Sequence, residues 1–174
     1  MRGAFIRAAL AAPLLTIPGV AGAHLLPKNT ATLRVKDNAA FVVVSVPVSA
    51  LFGVDSNGDG KLDPAETGAG NAAIQQQFSV KFKLLSGAAI GQPTLTMVSL
   101  PDGAMDYSPS DYLVVMQRVD FDAPPAAITI SSDLFGTGDG EDQLALRATS
   151  GSLQEEAVLS ASSPRHRFFG QNPT

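Results

Sequence analysis

The sequence predicts a mainly β fold, an immunoglobulin-like antiparallel β-sandwich. Three observations lead there. Apolar residues recur at alternate positions or in short Val-rich runs along many segments. Asp-Asn, Pro-Asp-Gly and Ala-Pro-Pro turns separate those segments at short intervals, and only one stretch has a composition that could hold helix. The chain has 174 residues, 45% hydrophobic and 16% charged, which suffices to bury one core and sets it apart from disordered and fibrous chains. A closed barrel is the alternative arrangement of the same strands.

Residues 1–23 read as an address rather than as fold. Arg2 and Arg7 precede an apolar stretch, Ala8 to Val20, followed by Ala21-Gly22-Ala23, small residues where a signal peptidase inspects the chain. Pro13 and Pro18 interrupt the run, whereas a membrane span needs roughly 20 unbroken apolar residues. Cleavage near Ala23 is expected, leaving a periplasmic or secreted chain with no transmembrane segment. In that oxidising setting the absence of cysteine means that no disulfide staples the domain.

The expected sandwich occupies residues 24–164. Between Ala31 and Val48 the pair Asp37-Asn38 joins two extended segments as a hairpin, and Phe41–Val48, apolar almost throughout, suits a central strand covered on both faces. Phe78, Val80, Phe82 and Leu84 alternate with Ser79, Lys81 and Lys83, the period of a strand with one wet face. Five more strands are expected at Thr94–Leu100, Tyr112–Phe121, Ala126–Ser131, Leu144–Thr149 and Leu153–Ser160. Gly68 and Gly70 interrupt Pro64–Gln77, so one or two helical turns around Asn71–Gln77 are expected. Residues 165–174 read as a C-terminal tail fraying after Phe169.

Charge and composition narrow the function. Twelve Lys and Arg against sixteen Asp and Glu give a net charge of −4, whose field repels nucleic acid. There is no cysteine for thiol chemistry, no Gly-x-Ser-x-Gly elbow, no His-Glu-x-x-His pair and no glycine-rich phosphate loop. Asp120 and Asp122 alternate around Phe121 and read as strand-edge or turn charges rather than an acid/base pair. The chain is therefore expected to be no enzyme but a structural or interaction module, whose protein partner and oligomeric state no residue pattern specifies.

One segment carries chemistry. Residues 55–66 place Asp55, Asn57, Asp59, Asp63 and Glu66 at the first, third, fifth, ninth and twelfth positions of a loop, with Gly60 sixth and Leu62 eighth. Ca²⁺ is a hard ion that takes six to eight oxygens, and a tightly wound chain can offer it every second side chain. The spacing resembles the EF-hand calcium loop, and the resemblance implies a backbone carbonyl from Lys61, an Asp63 contact through water and bidentate closure by Glu66. The flanks depart from that motif: a strand precedes the loop, and no helix pair is expected around it, so a structural role is favoured over sensing. A second acidic stretch, Asp133 to Asp142, lacks the alternating spacing and reads as a flexible connection.

An alternative site is copper at the mature amino terminus, where the amine and imidazole of His24 would act, with His166 as the only other histidine. More widely, the chain resembles the extracytoplasmic β-domain found ahead of the membrane helices in HupE/UreJ-type accessory proteins. The likeness rests on His24, on Phe41–Val48 running into Asp55–Glu66, on the segment Tyr112 to Phe135 with Phe121-Asp122-Ala123-Pro124-Pro125-Ala126, and on Arg165–Phe169. It implies a sandwich exported across the inner membrane, a partner or relic of such a membrane protein. That family's metal transport belongs to membrane helices and is not carried over.

Overall fold

In a computed structural model describing residues 27–101 and 108–170, ten strands form two sheets joined by a single α-helix. Residues 1–23, expected to be a signal segment, lie outside the described residues, as does His24. Strand β1 (Thr30–Lys36) and β2 (Ala39–Pro47) form the expected hairpin, Ala31 facing Val44 and Lys36 facing Ala39. Its tight turn puts Asp37 at φ 54°, a conformation that short polar side chains tolerate.

The other strands are β3 (Phe82–Ser86), β4 (Ala89–Ile90), β5 (Gln92–Ser99), β6 (Tyr112–Asp120), β7 (Ile128–Ser132), β8 (Gln143–Ser150), β9 (Leu153–Ser160) and β10 (Arg165–Phe168). The larger sheet has the order β5-β6-β2-β1-β8-β9 and the smaller β10-β7-β3-β4. Leu33, Val42, Val44, Val115 and Leu146 of the first share one buried cluster with Phe82, Leu84, Ile128, Ile130 and Phe168 of the second. The sheets stay open at their edges, so the barrel alternative does not apply.

Four expectations change. First, helix α1 runs over Pro64–Lys81, far longer than one or two turns, and takes Phe78–Lys81 away from the expected strand. Asp63 caps it: the Asp63 carboxylate accepts the Glu66 N–H at 2.8 Å, and Glu66 in turn accepts the Asp63 N–H at 3.2 Å. Ile74, Phe78 and Phe82 recur every four residues, and the last two rings stack with centroids 5.1 Å apart. That helical spacing overrides the period of two, and Val80 is left exposed.

Second, β1 and β8 pair in parallel, Thr30 beside Ala145, so the sandwich is not wholly antiparallel. Third, Arg165–Phe168 is no tail. It is an edge strand antiparallel to β7, with Phe168 fully buried. Fourth, β2 is not covered on both faces throughout: in its middle Phe41 is 41% exposed and Val43 half-buried.

Candidate metal centre

The loop of residues 55–66 hangs between β2 and α1, and the chain leading into it is pinned to the helix. After β2 a single 3-10 turn, Val48–Ala50, bends the chain. Lys81 donates to the Ala50 carbonyl at 2.6 Å. The Gln77 side-chain amide accepts the Phe52 N–H at 2.8 Å and donates to the Phe52 carbonyl at 2.9 Å. At the far end Leu62 is fully buried, and its N–H and C=O exchange hydrogen bonds with Ser110 at 2.8 and 3.0 Å. The acidic stretch is thus held at both ends by packed structure.

Within the loop each oxygen-bearing side chain turns back onto the backbone. Asp55 accepts the N–H groups of Gly58 and Gly60 through its two oxygens at 2.7 and 2.8 Å. Asn57 accepts from Asp59 at 2.8 Å, and Asp59 from Lys61 at 2.9 Å. Gly58 and Gly60 sit at φ 74° and 78°, so the tight winding depends on residues without a Cβ. Lys61 keeps its own side chain exposed.

Glu66 closes the circle. One of its oxygens accepts from the Ser56 N–H at 3.0 Å, the Ser56 hydroxyl at 2.7 Å and the Asn57 N–H at 3.2 Å. The first turn of α1 therefore brings the twelfth position of the loop back to its second and third. The Ser56 hydroxyl, followed by the Asp63 N–H and the two other amides, holds the Glu66 carboxyl below its ordinary value against the opposing effect of desolvation.

The donor chemistry suits a hard cation. Each Asp55 and Asp59 oxygen named above takes one N–H, and a carboxylate oxygen that takes one donor keeps a second lone pair. Their convergence is a separate matter: among the described residues no three His, Cys, Asp or Glu side chains gather as a metal-holding group. The oxygens are arrayed in order around the loop, each engaged locally. Glu66 carries three donors on one oxygen and would have to release some of them to chelate.

Elsewhere the candidates separate. Asp120 accepts the Arg118 Nε–H at 2.9 Å, and Arg118, helped by Thr94, holds its carboxyl below the ordinary range, the reverse of what a general acid requires. His166 lies on β10, its ring edge-on to Phe168 at 4.6 Å. Its proposed companion His24 lies outside the described residues. Residues 136–142 form an ordered loop rather than a slack connection, because Glu141 accepts the Gly138 N–H at 2.9 Å and the Ser49 hydroxyl. A groove of about 530 Å³ over β1, β8 and β9 is lined by Thr30, Thr32, Arg147, Glu156 and Val158, with Glu156 paired to Arg147 at 2.9 Å.

Sequence reasoning missed Ser56 and Gln77. A hydroxyl at the second position of an acidic loop is a readable signal for a partner to the closing Glu, whereas the Gln77 clamp depends on where the helix ends. No family model matches the chain, and no curated protein matches it.

Proposed function

We propose that the chain is an exported calcium-binding β-sandwich, a structural or protein-interaction module without a reaction of its own. Ca²⁺ would be held by Asp55, Asn57, Asp59, the Lys61 carbonyl, Asp63 and Glu66. The observation that supports the reading most directly is the return of Glu66 to Ser56 and Asn57, which closes the acidic loop on itself around two glycines in left-handed conformation. Bound there, the ion would supply positive charge to a segment carrying four carboxylates. The chain's own part is to wind the loop, hold its ends at Phe52 and Leu62, and present oxygens at alternate positions.

Among the described residues one α-helix adjoins the loop, capped by Asp63 and packed through Ile74 and Phe78. A structural ion is favoured on that ground, because sensing needs two helices that swing apart. Among the described residues no helix is long and apolar enough to cross a membrane. Export, and the likeness to the extracytoplasmic domain of HupE/UreJ-type proteins, rest on the sequence motifs and belong to the same proposal.

Calorimetric titration of Ca²⁺ into the chelator-stripped protein tests it. One-site binding is expected, with a dissociation constant of about 10⁻⁴–10⁻³ M, as for extracellular modules. At millimolar ion this adds about 0.5–1.5 kcal/mol, a rise in melting temperature of about 2–5 °C. Glu66→Gln should abolish the heat. No heat and no thermal shift in the wild type would overturn the proposal.

A further inference from the structure

The smaller sheet carries charge of one sign only. Strands β3, β4, β7 and β10 hold Lys83, Arg165, His166 and Arg167 and not one Asp or Glu, in a chain of net charge −4. Side chains alternate across a sheet, so Phe82, Leu84, Ile128, Ile130 and Phe168 enter the core and the residues between them face outward, His166 excepted. Register arranges that outer face in two rows. Lys83 and Arg165 stand on either side of Ser131; Leu85 and Arg167 stand on either side of Thr129, with Ile90 next to Leu85.

Lys83, Arg165 and Arg167 are exposed, and among the described residues none of them joins an ion pair, whereas Lys28, Arg118 and Arg147 each have a carboxylate. Acids border the face without neutralising it. Asp133 lies one row beyond Ser131, its N–H donated to the Lys81 carbonyl, and Glu155, which shares a hollow with Arg167, accepts the Phe169 N–H at 3.0 Å. The Arg165 Nε–H donates to Ser131 Oγ at 3.2 Å, so the Ser131 hydroxyl keeps its own hydrogen to give outward. Lys83 and Arg165 rise from backbones about 10 Å apart, two strand spacings, which leaves room for one phosphate group over Ser131 held from both sides. The far corner of the same face is apolar, with Leu85 half-buried and Ile90 52% exposed.

We propose that the outer face of the smaller sheet docks on a bilayer surface bearing anionic phospholipids. Phosphodiester oxygens sit over Ser131 between Lys83 and Arg165, and Ile90 enters the boundary between headgroups and acyl chains. Charge complementarity selects an anionic partner, and the Ile90 corner selects a bilayer, because a soluble polyanion has nothing apolar to lay against it. The negative net charge does not prevent the approach: at physiological salt, charges more than about 8 Å away are largely screened, and the acid-free sheet is what meets the surface. Each Lys or Arg at such a surface strengthens binding by about fivefold.

Co-sedimentation with large vesicles tests the proposal on the full-length gene product, purified as expressed. Chelator is present throughout, so the outcome is independent of calcium at residues 55–66. Vesicles of equal parts phosphatidylcholine and phosphatidylglycerol should bind the protein at least about tenfold more strongly than phosphatidylcholine alone. Lys83→Glu combined with Arg165→Glu should weaken binding by at least about twentyfold, and Arg165→Gln alone by about fivefold. Arg34→Glu combined with Lys36→Glu makes the same change of charge on exposed positions of β1 and should leave binding within about twofold. Ile90→Ser should weaken vesicle binding by about threefold or more, and unchanged melting curves would show that the variants fold. Equal binding to both kinds of vesicle, binding that survives the Lys83 and Arg165 reversal, or equal loss in the Arg34 and Lys36 variant would each overturn the proposal. So would capture of soluble inorganic polyphosphate with no binding to vesicles, which would assign the face to a soluble polyanion.

Discussion

Leu62 is the point where the acidic loop meets the core, and replacing it tests whether the loop is part of the fold or an appendage. Its side chain is fully buried within the central apolar cluster, while its backbone groups bridge to Ser110 just ahead of β6. Leu62→Ala removes three carbons and leaves the backbone bridge in place. At about 0.8 kcal/mol per buried methylene, the transfer contribution is about 2.4 kcal/mol. The cavity left behind brings the total to about 2.5–4 kcal/mol, or a fall of about 8–13 °C in melting temperature for a domain of this size. Urea denaturation followed by circular dichroism would measure it, with Leu153→Ala as control, since Leu153 is 51% exposed and should change stability by less than about 0.5 kcal/mol. A loss below about 1 kcal/mol at Leu62 would refute the argument that the loop is anchored through the core.

Asp63 serves as helix cap and as loop residue, and two substitutions separate the roles: Asp63→Ala should cost about 1 kcal/mol in urea without calcium, whereas Asp63→Ser should keep the cap and most of the stability. Ser56→Ala removes one donor that competes for Glu66, so calcium should bind about 2–10-fold more tightly in calorimetry. Glu66 has a lowered folded-state pKa, so its contribution to stability is complete above its ordinary value of 4.5 and is lost as pH falls through the folded value. The wild-type melting temperature should accordingly fall more steeply with acid below that pH than that of Glu66→Gln. Phe168→Ala should cost about 3–5 kcal/mol by urea denaturation if Arg165–Phe168 belongs to the fold.

The features legible in the sequence were those set by neighbours in the chain. Asp37-Asn38 between two apolar runs specified the β1–β2 hairpin, because turn chemistry and flanking periodicity act over a few residues. The loop spacing at 55–66 was legible in the same way. The extent of α1 was not, because Gly68 and Gly70 lower helix propensity while the deciding contact, Ile74 and Phe78 against the sheets, is tertiary. Phe78 to Leu84 satisfied two periods at once, and the capping box at Asp63 and Glu66 settled which prevailed. Arg165–Phe168 read as a tail because its partner, β7, lies more than thirty positions back, as in the Arg165 hydrogen bond to Ser131. The three donors on Glu66 depend on a side-chain arrangement that spacing does not encode.

The parallel join of β1 to β8 governs when this molecule can be finished. Leu33 and Thr149, which touch across that join, are 116 positions apart. On a ribosome, β1 and β2 can zip together as soon as they emerge, yet the other flank of β1 stays bare until β8 and β9 have followed. Loop closure over such distances makes folding slow compared with a meander of neighbouring strands. Completion of the larger sheet therefore waits on one strand seam, β1 against β8, rather than on the loop of residues 55–66.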